Sequence, residues 1–153
     1  MGRVCGVRRA GPQDAAAIRD LTRKVYAKWT PFIGREPKPM TADYDKAVRG
    51  HWIDLIEEGG ELVALIEMIP AGDHLIVENL AVAESAQGKG FGARLLAHAE
   101  QVAREAGFEE VRLYTNAAFA GNVAYYFRRG YRETARTALP DGGATVHFAK
   151  AVS

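Results

Sequence analysis

The stretch Leu75-Ile76-Val77-Glu78-Asn79-Leu80-Ala81-Val82, followed four residues later by Gln87-Gly88-Lys89-Gly90-Phe91-Gly92-Ala93, decides the reading of this chain. The first part is apolar and β-branched enough for a strand. The second is a glycine-rich turn opening an amphipathic helix, with Phe91, Leu95, Leu96, Ala99, Val102, Ala103 and Ala106 at helical spacing and Gly107 as the stop. A glycine turn at a helix start presents unpaired backbone N–H groups and the positive end of the helix dipole, which suits phosphate.

Outward from this core, Val4–Arg9 reads as a short strand and Gly11-Pro12 as its end. Asp14 is placed to cap a helix carrying Ile18, Leu21, Val25 and Tyr26 to about Lys28. Three prolines and a glycine make Thr30–Pro39 a loop, and a second helix is expected from about Ala42 into the low fifties. Trp52–Glu57 and Glu61–Ile69 flank the hairpin turn Glu58-Gly59-Gly60, and Pro70-Ala71-Gly72-Asp73 turns into the strand His74–Val82. Beyond Gly107 come a strand at Val111–Thr115, a short helix at Asn122–Arg129, and strands at Tyr131–Thr137 and Ala144–Lys150. The order is β-α-α-β-β-β-α-β-α-β-β. A helix between strands 74–82 and 111–115 predicts one parallel pair with a right-handed crossover, and the hairpins predict antiparallel pairing elsewhere. The expected class is α/β (α+β), with a mixed, mostly antiparallel central sheet and helices on both faces.

With 153 residues the chain is one domain's worth, expected to span 1–153. Hydrophobic residues at 48% and charged residues at 25% suit a globular protein, and a net charge of +1 provides no field for nucleic acid. Cys5 is the only cysteine, so no internal disulfide is possible, and four scattered histidines give no metal-ligand spacing. No apolar run approaches a membrane span, and the arginine-bearing N-terminus lacks a signal-peptide core; a cytoplasmic protein is expected.

Three readings compete for the glycine turn. A phosphate-binding loop of Walker A type needs glycine where Ala83 stands and Ser or Thr where Gly90 stands. A dinucleotide fingerprint is matched by Gly88, Gly90 and Ala93, but Ala83–Ala86 intervene after the strand and the chain is short for that architecture. The third spelling is Gln87-x-x-Gly90-x-Gly92, preceded by Glu78-Asn79-Leu80-Ala81-Val82 and followed by Leu95-Leu96. This resembles the acyl-CoA-binding motif of the GNAT N-acetyltransferase superfamily. Leu113-Tyr114-Thr115-Asn116, then Asn122 and Tyr126 to Gly130-Tyr131, resembles its next motif, so the resemblance covers nearly the whole chain.

The resemblance implies a GNAT-like acyl-CoA N-acyltransferase fold that moves an acetyl group from acetyl-CoA to a primary amine, without a metal. It implies a coenzyme site on main-chain groups of Leu80, Ala81 and Val82, on the turn Gln87, Gly88, Lys89, Gly90, Phe91, Gly92 and Ala93, and on Asn122 and Tyr126. A protonated amine needs a base and a departing thiolate needs a donor. Glu78, an acid inside an apolar strand, is the candidate base, and Tyr126, four residues before Gly130, the candidate acid. Alternation puts Ile76, Glu78 and Leu80 on one face unless a bulge shifts the register, and turns Tyr125 away from Tyr126 into packing. The segment with Trp29, Phe32, Arg35, Glu36, Met40 and Tyr44 is expected to wall the acceptor site, with Phe32, Arg35, Met40 and Tyr44 touching a small-molecule or peptide amine. A monomer or homodimer is open. The alternative from another class is a non-catalytic acyl-CoA-binding module on the same fold.

Overall fold

The computed structural model describes residues 6–27, 38–140 and 142–152. In chain order these form β1 (Val7–Arg9), α1 (Ala15–Ala27), α2 (Lys38–Thr41), α3 (Tyr44–Gly50), β2 (Trp52–Glu58), β3 (Glu61–Ala71), β4 (His74–Val82), α4 (Phe91–Glu105), β5 (Glu110–Asn116), α5 (Ala120–Arg128), β6 (Arg132–Ala138) and β7 (Ala144–Ala151). The seven strands make one sheet in the order β1-β2-β3-β4-β5-β7-β6, and only β4 and β5 run parallel.

The two helix layers follow from strand alternation. Ile56, Ile66, Met68, Leu75, Val77, Val111, Leu113, Val146 and Phe148 meet Phe91, Leu95, Leu96, Ala99 and Ala103 of α4 on one face. Ile53, Leu55, Leu65 and Ala81 meet Ile18, Leu21, Tyr44 and Ala47 of α1 and α3 on the other. Leu95, Leu96 and Ile18 are completely buried; truncating one such side chain to alanine costs about 2–5 kcal/mol.

Local departures from the expected elements have local causes. Asp14 does not cap α1; it sits in a 3₁₀ turn, where its Oδ2 accepts the Gly11 N–H at 2.8 Å and Arg8 donates to both carboxylate oxygens. The second helix is shorter than expected and starts at Tyr44, because Asp43 caps it by accepting the Lys46 N–H at 3.2 Å. Ahead of it Lys38–Thr41 makes one helical turn. The hairpin between β2 and β3 turns on Gly59 and Gly60, both at positive φ, as a two-residue primed turn demands.

The register of β4 changes at one residue. Against β3, Glu67 pairs with Asn79 and Met68 with Val77, so Glu78 is an extra, bulged residue. Below it, Leu75 and Val77 face α4; above it, Leu80 and Val82 do so, while Ala81 faces α1. Glu78 therefore does not share a face with Ile76 and Leu80 in simple alternation.

Candidate functional site

The parallel pairing of β4 with β5 ends at Val77 and Leu113. From the bulge onward the two strands part, and a cleft of about 560 Å³ opens between them. Its lining includes Glu78, Leu80 and Val82 of β4, Tyr114 and Asn116 beyond the split in β5, Gln87 and Gly92 of the glycine turn, and Asn122, Tyr125 and Tyr126 of α5. Tyr26 and Pro39 close it from the side of α1 and α2.

The edge of β4 that borders this cleft is set by its other neighbour. Ala83 donates its N–H to the Val63 carbonyl at 2.7 Å, and Leu65 pairs with Ala81. In an antiparallel ladder residues alternate between facing the partner and facing away. Ala81 and Asn79 thus spend their main-chain groups on β3, and the N–H and C=O groups of Leu80 and Val82 point to the open edge. Their carbonyls agree: the Leu80 oxygen accepts from the Tyr26 hydroxyl at 3.3 Å and the Val82 oxygen from Gln87 Nε2 at 3.2 Å. Leu80 and Val82 can offer main-chain groups to a ligand. Ala81 cannot, since its backbone serves β3 and its side chain lies in the α1 core.

The glycine turn stands at the end of that edge. Gly88 and Gly90 have φ of +84° and +83°, and a β-carbon on either would meet nothing within 4 Å. Gly90 is the N-cap of α4, and the first helical bond runs from the Arg94 N–H to the Gly90 carbonyl at 3.0 Å. The N–H groups of Phe91, Gly92 and Ala93 therefore lack a helical acceptor. The Phe91 ring itself is buried in the core. Lys89 pairs with Glu58 at 3.4 Å on the surface, a contact too exposed to hold it.

Two ionisable groups, Glu78 and Tyr126, line the cleft. Glu78 accepts a hydrogen bond from the Tyr114 hydroxyl. Tyr126 is packed against Tyr125, Tyr131 and Phe148, with ring centroids 5.7, 6.0 and 5.6 Å away. Burial, with a smaller contribution from Tyr125, pushes its hydroxyl up to about 12. No hydrogen bond ties that hydroxyl to another described residue. Tyr125 was expected to turn away but also lines the cleft, because the C-terminal end of α5 sits at the cleft's mouth.

A polar cluster that the sequence reading did not identify runs from the cleft wall, where Asn79 and Tyr26 stand, into the core. Asn79 Nδ2 donates to Thr22 Oγ1 at 3.2 Å and to the Tyr44 hydroxyl at 3.3 Å, and its Oδ1 accepts from Tyr26 at 3.1 Å. Tyr44 in turn donates to the Pro39 carbonyl at 2.6 Å. Tyr44, expected to touch an acceptor, is only 2% exposed and is not among the residues lining the cleft. Burial pushes its hydroxyl up to about 12, and burial likewise raises that of Tyr26. Met40 lies on α2, with its carbonyl accepting from Arg23 Nε at 3.3 Å. Trp29, Phe32, Arg35 and Glu36 lie outside the described residues. A signal for Tyr26 did exist, at the last turn of α1 beside the proline loop, but its helical spacing also fits a packing role.

Among the described residues no three His, Cys, Asp or Glu side chains gather as a metal site, and no helix is long and apolar enough to cross a membrane.

Comparison with known proteins adds an independent observation. A family model described as the acetyltransferase (GNAT) family matches residues 17–131. N-acetyltransferase 8 of Rattus norvegicus is 26% identical over 115 residues, which are 69% of this chain and 52% of that protein. The mouse protein of the same name is 27% identical, over 69% and 51%. The chain thus spans about half the length of these curated relatives. Among solved structures, a GNAT-family protein from Desulfovibrio desulfuricans superposes with a TM-score of 0.77 at 21% identity, covering 96% of this chain and 98% of that one. An aminoglycoside 6′-N-acetyltransferase complexed with coenzyme A superposes at 0.76 with 14% identity, covering 96% and 97%. At such identities the superpositions establish the fold alone.

Proposed function

The chain belongs to the acetyltransferase (GNAT) family, and on that premise we propose that it moves an acetyl group from acetyl-CoA directly to a primary amine, on a small molecule or a peptide. The observation that carries this reading is the open edge of β4, with the N–H groups of Leu80 and Val82 directed into a cleft that ends at the unpaired amides of the glycine turn.

The residues present fit coenzyme A. Gly88 and Gly90 leave open space above a turn whose neighbouring amides suit a pyrophosphate. Leu80 and Val82 offer main-chain groups to the amides of a pantetheine arm, and Gln87, Gly92 and Asn122 line its path. Bound acetyl-CoA supplies the activated acetyl group; the chain's own groups place and deprotonate the reactants.

An amine of pKa near 10.4 is free base in only about one molecule in a thousand at pH 7. Glu78 takes the proton that the attacking amine must lose, directly or through water. The Leu80 N–H donates to the thioester oxygen as negative charge develops there. A C–N bond forms and the C–S bond breaks. Tyr126 donates its proton to the departing sulfur. Its pKa near 12 exceeds that of an ordinary thiol, about 8.5, so donation begins as a hydrogen bond to developing charge rather than as early transfer. The amine proton held by Glu78 returns to solvent, and solvent restores Tyr126.

The test is release of free thiol when acetyl-CoA meets a panel of amines and peptides, with calorimetry of coenzyme A beside NAD. Coenzyme A binding without thiol release from any acceptor would leave a coenzyme-binding module; NAD binding in its place would overturn the reading.

A further inference from the structure

We infer that Asn79 is a positioning residue for the reaction, fastening the open half of β4 to α1 and α3 so that the Leu80 N–H and the Glu78 carboxylate stay aimed into the cleft. This rests on the proposed acetyl transfer for its kinetic consequence, but its structural content stands apart from turnover.

The need for such a fastening follows from topology. Below the bulge β4 is held on both sides, by β3 and β5. Above it, only β3 remains, and the strand borders a cleft. A strand half-released in this way tends to fray, and its edge carries the groups assigned to the chemistry. Asn79 is the first residue beyond the bulge, and it is 2% exposed.

Its amide is fully matched. The two Nδ2 protons go to Thr22 and Tyr44, and Oδ1 accepts from Tyr26, each at 3.1–3.3 Å. Tyr26 has one proton for Asn79 Oδ1 and the Leu80 carbonyl oxygen at 3.3 Å, so it braces both neighbours at once. Tyr44 passes its own proton to the Pro39 carbonyl, and Pro39 lines the cleft. One buried amide therefore joins α1, α3, the acceptor-side wall and the Leu80 edge. A carboxylate here would lack the two donors; an apolar side chain would leave the Thr22 and Tyr44 hydroxyls without their donor.

The experiment uses Thr22, which is fully buried, does not line the cleft and touches only the Asn79–Tyr44 cluster through its hydroxyl, so substitution there loosens the fastening without altering a group in the cleft. Thr22→Val removes the acceptor oxygen at nearly constant shape, and Thr22→Ser keeps it. Amide hydrogen exchange of the free protein is followed at Asn79 and Ala81, whose N–H groups face β3 above the bulge, and at Ile76 below it. The expected result for Thr22→Val is a loss of protection of at least about tenfold at Asn79 and Ala81 with Ile76 unchanged. Protection returns in Thr22→Ser. In thiol-release assays, kcat falls by about five- to tenfold while the coenzyme A Kd stays within about twofold, and Asn79→Ala on top of Thr22→Val adds less than the product of the single effects. Unaltered protection at Asn79 and Ala81 overturns the inference whatever turnover does, as does equal loss at Ile76. A wild-type protein that turns over no amine would refute the proposed function, while the exchange pattern still decides whether Asn79 holds the strand.

Discussion

The Tyr114 hydroxyl on β5 donates to the Glu78 carboxylate on β4 across the gap where the two strands have stopped pairing. The bond spans the mouth of the split and helps to position the carboxylate. Tyr114→Phe removes this bond to the Glu78 carboxylate, with an expected fall in kcat of about tenfold and little change in coenzyme affinity. Glu78→Gln removes the proposed base, for which about a hundredfold fall is expected. Combining the two substitutions should cost no more than Glu78→Gln alone; a multiplicative loss measured by thiol release would show that Tyr114 acts independently of Glu78.

Tyr126→Phe should reduce kcat by at least about tenfold while the acetyl-CoA Kd, measured by calorimetry, stays within about threefold. Because burial lifts the Tyr126 hydroxyl to about 12, it remains protonated through the working range. Rate should therefore rise with pH as the amine acceptor loses its proton, with no alkaline fall from Tyr126 below about pH 11. A descending limb near pH 9 that disappears in Tyr126→Phe would falsify the assignment.

Gly90→Val places a β-branched residue at φ +83° at the head of α4. The surrounding space is open, so the cost is backbone strain of about 1–3 kcal/mol rather than a clash. The protein should stay folded by circular dichroism yet bind coenzyme A at least about a hundredfold more weakly, because the turn can no longer present its amides. Normal binding by this variant would remove the glycine turn from the site.

How far the site was legible in the sequence depends on how local its instructions are. The glycine turn, its helix and Tyr126 are spelled within a few consecutive residues, and each stands where its spelling put it. The direction of a main-chain group is not spelled locally. Ala81 sits between Leu80 and Val82 in the same motif, yet pairing with Leu65 of β3 turns its backbone away from the cleft. The burial of Tyr44 is not spelled locally either. A tyrosine beside a proline loop resembles pocket lining, and it takes the distant Asn79, besides the nearby Pro39 carbonyl, to explain why its hydroxyl is buried. Asn79, Thr22 and Tyr26 are 53 to 57 residues apart in their pairings, beyond any periodicity.

A buried ion cluster on the other side of the sheet makes a separate prediction. Asp54 receives His98 Nε2 at 2.6 Å and Arg9 Nε at 2.5 Å. Burial pushes its carboxyl up, but the hydrogen bonds from His98 and Arg9 outweigh this and hold it below its ordinary value. A depressed folded-state pKa gives stability that is present above the unfolded value, about 3.9, and is lost as pH falls through the folded one. Urea unfolding of wild type and Asp54→Asn should therefore differ most at neutral pH and converge below about pH 4. Asp54→Ala, which removes the buried partner of His98 Nε2, should cost about 1–3 kcal/mol at pH 7.

The bulge at Glu78 has a consequence for how this fold can change over generations. Without residue 78, Val77 would be followed directly by Asn79, and strict alternation would keep Leu75, Val77, Leu80 and Val82 towards α4, with Asn79 and Ala81 opposite. Every core side chain would keep its place, while β4 could zip against β5 to its end. Loss of a single codon would thus be nearly silent to packing, yet would remove the bulge that opens the β4 edge and, with it, the proposed base. Capacity for chemistry here is one insertion wide, and it can be gained or surrendered without rebuilding the interior.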